Sequence, residues 1–134
     1  MLKPYSMFFD TNVIINFLNP DGDSYIEELY TEYVTKKEAY MSSIAYAEVL
    51  AFSDYTDFEA DNLALVFKKY FKIIKPTNKM FDLAAKIARL QKQKTGKKLK
   101  LTDAIIAATA IEKNIPLLTL DRENFKNVEG LSLI

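Results

Sequence analysis

Three residue types are missing from this chain of 134 residues, which contains no histidine, no cysteine and no tryptophan. The absence of histidine and cysteine excludes disulfides, thiol nucleophiles, Cys/His zinc sites and any mechanism that needs an imidazole base. Chemistry in this chain must therefore use carboxylates, hydroxyls, amides, lysines or a metal ion.

Long apolar runs are absent as well. The longest uncharged run, Thr11 to Pro20, covers ten residues, about half of the roughly 20 that a membrane-spanning helix needs. No apolar stretch follows a basic N-terminus in the manner of a signal peptide, so we expect a soluble, cytoplasmic protein. With three glycines, four prolines and no repeat or linker, residues 1–134 are expected to form one domain.

The formal net charge is zero, yet the charges are segregated along the chain. Residues 1–64 carry 3 basic and 12 acidic side chains, residues 65–100 carry 12 and 1, and residues 101–134 carry 3 and 5. Such a basic block is typical of solvated helix faces. It is also the kind of charge that binds a phosphate backbone.

The hydrophobic pattern predicts strands that alternate with helices, and this order is typical of an α/β fold with a parallel sheet flanked by helices. The predicted strands are Ser6–Phe9, Ala39–Ser42, Lys72–Lys75, Pro116–Leu120 and Leu131–Ile134. Predicted helices without a capping box are Asn12–Leu18 and Ile44–Phe52. Two helices are expected to begin at capping boxes, one at Ser24/Glu27 and one at Thr56/Glu59 that runs to about Tyr70. Two more are expected to be capped by Asn78, reaching Lys94 before Gly96, and by Thr102, ending near Asn114. A turn is predicted at Asp121 to Asn124.

Two acids, Asp10 and Asp121, each come directly after a predicted strand. Ligands of parallel sheets bind outside the carboxyl ends of the strands, so both acids are candidates for a functional site. Each also has a simpler explanation. Asp10 can cap the helix that follows it, and Asp121 can stabilise a turn through hydrogen bonds to the backbone.

Two further acids lie on apolar helices. Asp103 shares a face with small and apolar residues of its helix, although the helix dipole alone favours an acid in the first turn. Glu48 lies on a helix that is apolar around most of its circumference, so we expect its carboxylate to be buried. A buried, unpaired charge costs several kcal/mol, so such a group is neutralised, paired with Lys or Arg, or bound to a metal ion.

Convergence of the four acids at one sheet edge would require a cation to offset their repulsion. Mg²⁺ or Mn²⁺ suits a set of oxygen ligands and stabilises the oxygens of a phosphate that is being displaced. Thr11, Asn12 and Thr119 are candidates for hydrogen bonds that orient the carboxylates. Ordinary turn or strand chemistry explains these three residues equally well.

Four sequence blocks together resemble one known family. The blocks are Phe8–Ile14, Ala45–Leu50, Leu101–Ala110 and Leu118–Phe125, each of which contains one of the four acids. In their order, spacing and total length they resemble PIN-domain ribonucleases of the VapC toxin type, over nearly the whole chain. The resemblance implies a PIN fold in which Asp10, Glu48, Asp103 and Asp121 form a Mg²⁺ or Mn²⁺ site that hydrolyses RNA phosphodiesters.

The same resemblance implies a homodimer and a small antitoxin protein that binds in a groove and blocks the acidic site. The aromatic-rich acidic segment Tyr25 to Tyr40 is a candidate for part of that groove or of the dimer contact, although its helical spacing favours core packing. Basic residues that precede Asp103 in the chain are candidates for RNA binding. They are Arg89, Lys92, Lys94, Lys97, Lys98 and Lys100.

Three other functions are open alternatives. A housekeeping PIN nuclease would have the same acids. A phospho-accepting receiver domain also uses acids and Mg²⁺ on a parallel sheet, but here the third predicted strand ends in Pro76-Thr77 without an acceptor Asp, and no Lys follows Thr119-Leu120. A catalytically silent PIN scaffold that only binds RNA or protein would not need the complete set of acids.

Overall fold

The computed structural model describes residues 6–19, 21–22, 24–36, 38–52 and 54–134, and of residues 25, 26, 30 and 36 it describes the backbone only. Within these ranges, four parallel strands form one sheet in the order β3-β2-β1-β4. The strands are β1 (Ser6–Phe9), β2 (Glu38–Ser42), β3 (Lys72–Ile74) and β4 (Leu117–Leu118). The helices in these ranges are α1 (Thr11–Leu18), α2 (Ser24–Lys36), α3 (Ser43–Leu50), α4 (Asp57–Tyr70), α5 (Asn78–Thr95), α6 (Leu101–Lys113) and α7 (Arg122–Phe125).

The strands divide their side chains between two hydrophobic cores, one on each face of the sheet. Phe8 contributes to the core that α5 and α6 cover. Its neighbours Met7 and Phe9 contribute to the core that α1 and α4 cover, with Val13 and Phe67 from those helices. Because alternate residues of a strand point to opposite faces, a strand covered on both faces carries apolar residues on both, as Met7, Phe8 and Phe9 of β1 do. The predicted α/β architecture is confirmed.

One predicted helix cap, at Thr56, agrees with the structure, whereas those at Asn78 and Thr102 do not. The Thr56/Glu59 capping box is confirmed, since the Thr56 hydroxyl accepts from the Glu59 N–H and the Glu59 carboxylate accepts from the Thr56 N–H, both at 3.1 Å. Helix α5 is capped by Thr77 rather than Asn78. Helix α6 begins at Leu101 without a side-chain cap, so Thr102 lies inside it.

Other boundaries are corrections too. Ser24 is the first residue of α2 rather than its cap, and the preceding residue 23 lies outside the described ranges. Helix α3 ends at Leu50, two residues before the predicted end. Gly96 ends α5 as predicted, in the left-handed conformation with φ 73° that glycine adopts without steric cost.

The C-terminal elements differ most from the prediction. Strand β4 has two residues, and the predicted turn at residues 121–124 is the start of the short helix α7. The predicted strand Leu131–Ile134 is wrong, because this segment makes a single parallel bridge from Leu133 to Leu117. A strand as short as β4 offers too few backbone groups for a longer pairing. Of the described helices, none combines the length and the apolar character that crossing a bilayer requires.

Candidate active site

Asp10 lies at the carboxyl end of β1 and is 2% exposed. Its Oδ1 accepts from the Thr11 N–H at 2.8 Å and its Oδ2 accepts from the Thr119 hydroxyl at 2.8 Å. Burial raises the pKa of Asp10 from 3.8 to about 6, the two hydrogen bonds oppose that rise, and the charges of Asp103 and Glu48 add to it. Asp10 is also the N-cap residue of α1, so the structural and the functional interpretation of this residue are compatible.

Asp103 lies in the first turn of α6 and is half-buried. Burial raises its pKa, the Lys100 ammonium lowers it, and the charges of Glu48 and Asp121 raise it further. Asp10 interacts electrostatically with Asp103 and Glu48 as well, so the four predicted acids lie within reach of one another's charge, with Asp121 linked to the others through Asp103. They lie near the place where β1 and β4 end and α6 begins.

Glu48 is exposed, so the prediction that its carboxylate is buried was wrong. Only Ala45 and Val49 of α3 are buried, and the surface with Ala47 and Glu48 faces outward. The Thr11 hydroxyl donates to Glu48 Oε1 at 3.0 Å. Glu48 therefore reaches the other acids from the open side of the site, where α1 and α3 meet.

The buried hydroxyl of Thr119 connects the two chain segments that carry Asp10 and Asp121. While it donates to Asp10, its oxygen accepts from the Asp121 N–H at 3.0 Å and from Asn12 Nδ2 at 3.4 Å. The carbonyl oxygen of the Asn12 side chain accepts from the Leu120 N–H at 3.1 Å. Thr11, Asn12 and Thr119 thus all contact an acid or the backbone beside one.

Asn124 is a contact that sequence reasoning missed. Its Nδ2 donates to Asp121 Oδ2 at 2.6 Å, one turn along α7. The signal that points to it is the three-residue spacing, which places two side chains on the same side of a helix. A turn prediction for residues 121–124 concealed that spacing.

The donor set of this site fits a hard divalent cation. The four carboxyl groups offer only oxygen ligands. Burial and like charges raise the pKa values of Asp10 and Asp103, and a bound cation would favour their ionised forms. Among the described residues, however, no three acidic side chains are already arranged to hold a metal ion. Mg²⁺ tolerates this, because it keeps several waters and binds through one or two carboxylates together with substrate phosphates.

The sequence profile of the PIN domain family matches residues 7–131, a range that contains all four acids. The chain belongs to the PIN domain family. This assignment excludes the receiver-domain alternative. No curated protein sequence matches the chain.

Solved structures share this PIN fold over nearly the whole chain at low sequence identity. VapBC-1 from nontypeable Haemophilus influenzae is 22% identical with a TM-score of 0.80, and the alignment covers 96% of each chain. A toxin-antitoxin complex from Klebsiella pneumoniae is 22% identical with a TM-score of 0.71, with 93% of this chain and 94% of that chain covered. VapC20 from Mycobacterium tuberculosis, described as a Sarcin-Ricin loop cleaving toxin, is 13% identical with a TM-score of 0.68 and coverage of 90% and 93%.

The six basic residues predicted to bind RNA are all exposed on this PIN domain, but they do not share one surface. Lys94, Lys97 and Lys98 line cavities between α5 and residues 123–129. Arg89 and Lys92 lie about 140° and 160° around α5 from Lys94, at about 100° per residue. Lys100 precedes α6 and its charge acts on Asp103. In chain order, the six residues are Arg89, Lys92, Lys94, Lys97, Lys98 and Lys100.

Proposed function

We propose that this PIN domain is a Mg²⁺- or Mn²⁺-dependent endoribonuclease that acts as the toxin of a toxin–antitoxin pair. One observation carries the proposal: four acids from distant parts of the chain lie near the carboxyl edge of the sheet, where their charges act on one another. There, burial and mutual repulsion raise the pKa values of Asp10 and Asp103. Perturbed pKa values of this kind cluster at functional sites.

Asp10, Glu48, Asp103 and Asp121 are the residues that would hold the ion. A bound divalent ion supplies Lewis acidity, which neutralises phosphate charge and lowers the pKa of an attacking water. The chain's own contribution is to orient the ligands. Hydrogen bonds from Thr11 to Glu48, from Thr119 to Asp10 and from Asn124 to Asp121 restrict these carboxylates before substrate binds.

An RNA substrate suits the distribution of charge around the site. The acids repel a polyanion, so the affinity must come from basic residues nearby. Lys100 is one of these, because its charge already acts on Asp103. Lys97 and Lys98 precede it, and together with Lys94 they provide the positive surface that a phosphate backbone requires.

A protein partner suits an apolar groove on the other side of the site. Ile15, Leu18, Val49, Phe52 and Tyr55 line a cavity of about 280 Å³ between α1 and the end of α3. Phe52 and Ile15 are 51% and 42% exposed. Because α1 begins beside Asp10 and α3 carries Glu48, an antitoxin in this groove would reach the acids.

The acidic segment Tyr25 to Tyr40, our other candidate for the antitoxin or dimer contact, mainly contributes to packing. Leu29, Tyr33 and Val34 pack against the core that α1 and α4 cover. The side chains of residues 25, 26 and 30 lie outside the described part of the chain. A homodimer is part of the proposal because the resemblance to VapC toxins implies one.

Two measurements test the proposed function. Purified protein should cut RNA with Mg²⁺ or Mn²⁺ and should lose this activity in EDTA, with recovery when the ion is returned. Cleavage that persists in EDTA would contradict the metal dependence. Expression without an antitoxin should arrest growth, whereas harmless expression of an active enzyme would favour a housekeeping nuclease.

A further inference from the structure

A groove runs along α5 from Leu83 to the end of the helix and on to Leu99, opposite residues 123–129. It consists of two adjoining cavities of about 200 Å³ and about 240 Å³, which share Gln91 and Asn127. Gln91 is buried, and its Nε2 donates to the Asn124 carbonyl oxygen at 3.1 Å. This hydrogen bond joins α5 to the α7 segment at the place where the two cavities adjoin.

The first cavity has an apolar floor and a basic rim. Leu83, Ile87, Leu90 and Val128 form its apolar part. Lys86, Lys94 and Glu129 lie around them. With about 200 Å³, the cavity is smaller than the roughly 300–1,000 Å³ of a site for a drug-sized molecule. It suits a single flat ring system, with the amides of Gln91 and Asn127 at its edge.

The second cavity is mainly basic and polar. Lys97, Lys98 and Lys126 line it, and Glu123 is the acid among them. Glu123 forms an ion pair with Lys126 at 2.7 Å, and its carboxylate also interacts with the charge of Lys97. Around the whole groove, five lysines face two glutamates, so the surface attracts anions.

The groove continues to the acidic site through Asn124. This residue lines the second cavity, and its side chain donates to Asp121 Oδ2 at 2.6 Å. A chain of phosphates that lies in the groove would therefore arrive next to one of the four acids. The apolar cavity lies on the far side of the second cavity from that acid, and Gln91 and Asn127 line both cavities.

We propose that this groove binds single-stranded RNA beside the bond that is cut, with phosphates on Lys97, Lys98 and Lys126 and one unstacked base in the apolar cavity. This inference rests on the proposed ribonuclease function and adds a subsite to it. An unstacked base has apolar faces and a polar edge, which match the aliphatic floor and the two amides. Paired bases of a duplex cannot enter such a cavity.

The phosphate part of the proposal is tested with two charge reversals. In an Asp10→Asn background that prevents cutting, binding of a labelled single-stranded RNA of roughly 12 nucleotides is measured by fluorescence anisotropy over a range of salt. Lys98→Glu should weaken binding roughly tenfold and reduce the salt slope by about 0.7 for each phosphate that the variant no longer neutralises. Lys69→Glu, the matched control at an exposed position of α4 outside the groove, should change either quantity far less.

The base part is tested with a neutral substitution in the apolar cavity. Leu90→Gln should weaken RNA binding by roughly fivefold to tenfold with an unchanged salt slope, because it removes contacts with a base rather than with a phosphate. Its matched control is Leu65→Gln, at a position that is 65% exposed on α4. Wild-type protein should bind an abasic ribose-phosphate oligomer of equal length more weakly than RNA. In Leu90→Gln the ratio between these two affinities should be smaller. Circular dichroism and thermal unfolding check that both variants fold.

The outcomes separate this inference from the proposed function. If the protein cuts RNA but Lys98→Glu and Leu90→Gln bind like their controls, the groove proposal is overturned and the nuclease stands. The groove proposal is likewise overturned if Leu90→Gln disturbs only the binding of a protein partner. If both variants lose RNA binding but no divalent ion supports cutting, the groove is an RNA-binding site, and its place beside a cut bond is overturned together with the nuclease.

Discussion

Replacing Asp10 by asparagine should stabilise the metal-free protein near neutral pH. Burial and the charges of Asp103 and Glu48 raise the pKa of Asp10 from 3.8 to about 6, so its ionised form is less favourable in the folded than in the unfolded chain. The contribution of Asp10 to the free energy of unfolding is therefore greatest below the unfolded pKa of 3.8 and is lost as the pH rises through about 6.

The size of the effect follows from the shift and from one hydrogen bond. A shift of about two units corresponds to about 3 kcal/mol at 1.36 kcal/mol per unit. An asparagine oxygen can accept from either the Thr11 N–H or the Thr119 hydroxyl but not from both, which costs about 1 kcal/mol. The net gain of about 2 kcal/mol equals roughly 7 °C in the unfolding temperature of a chain of this size.

Urea unfolding in EDTA measures this gain at about pH 7.5 and about pH 4, values that lie on either side of the titration. Asp10→Asn should be more stable than wild type at the higher pH and no more stable at the lower. Asp61→Asn, which removes an exposed carboxylate from α4, is the control and should show no such change. Equal stability of wild type and Asp10→Asn at both values would refute the argument that burial and the neighbouring acids disfavour the ionised form of Asp10 in the folded state.

Three further predictions concern the same structure. Mg²⁺ at about ten times its dissociation constant should stabilise wild type by about 1.4 kcal/mol in thermal unfolding, and Asp103→Asn should abolish that gain. Thr119→Val should lower the free energy of unfolding by about 1–3 kcal/mol, because it leaves the Asp121 N–H and one oxygen of Asp10 without their partner. RNA cleavage should fall roughly 10–100-fold in that variant and recover in Thr119→Ser, since the serine hydroxyl restores the bonds. Glu38→Gln should lower the unfolding temperature at neutral pH, because hydrogen bonds, above all the one from Lys72, lower the pKa of Glu38 to about 2. The difference in unfolding temperature between wild type and Glu38→Gln should shrink as the pH falls from 4.5 toward about 2.

Local chemistry explains which elements the sequence could predict. The Thr56/Glu59 capping box depends on two side chains three residues apart, so the sequence alone places the start of α4. Residues 7–9 of strand β1 are apolar because the strand is buried on both faces, and Asp10 follows them directly. An acid that interrupts an apolar run at a strand end is visible without any tertiary information.

The sequence predictions are wrong or incomplete where packing between distant segments determines burial and contacts. The apolar composition of α3 suggested a buried Glu48, but the neighbouring helices and the sheet leave the Glu48 side of that helix open. The contact between Gln91 and Asn124 joins residues 33 positions apart. That contact, and with it the groove beside α5, depends on how α5 packs, which sequence periodicity does not report.

Cleavage by variants of the four acids tests the central claim most directly. Under single-turnover conditions with Mg²⁺, a labelled RNA that wild type cuts should remain intact with Asp10→Asn, Glu48→Gln, Asp103→Asn and Asp121→Asn, while Asp61→Asn should cut at the wild-type rate. Circular dichroism should show that all five variants are folded. Wild-type cleavage by a folded Asp10→Asn or Asp103→Asn would contradict the account, because the chemistry would then take place elsewhere on the molecule.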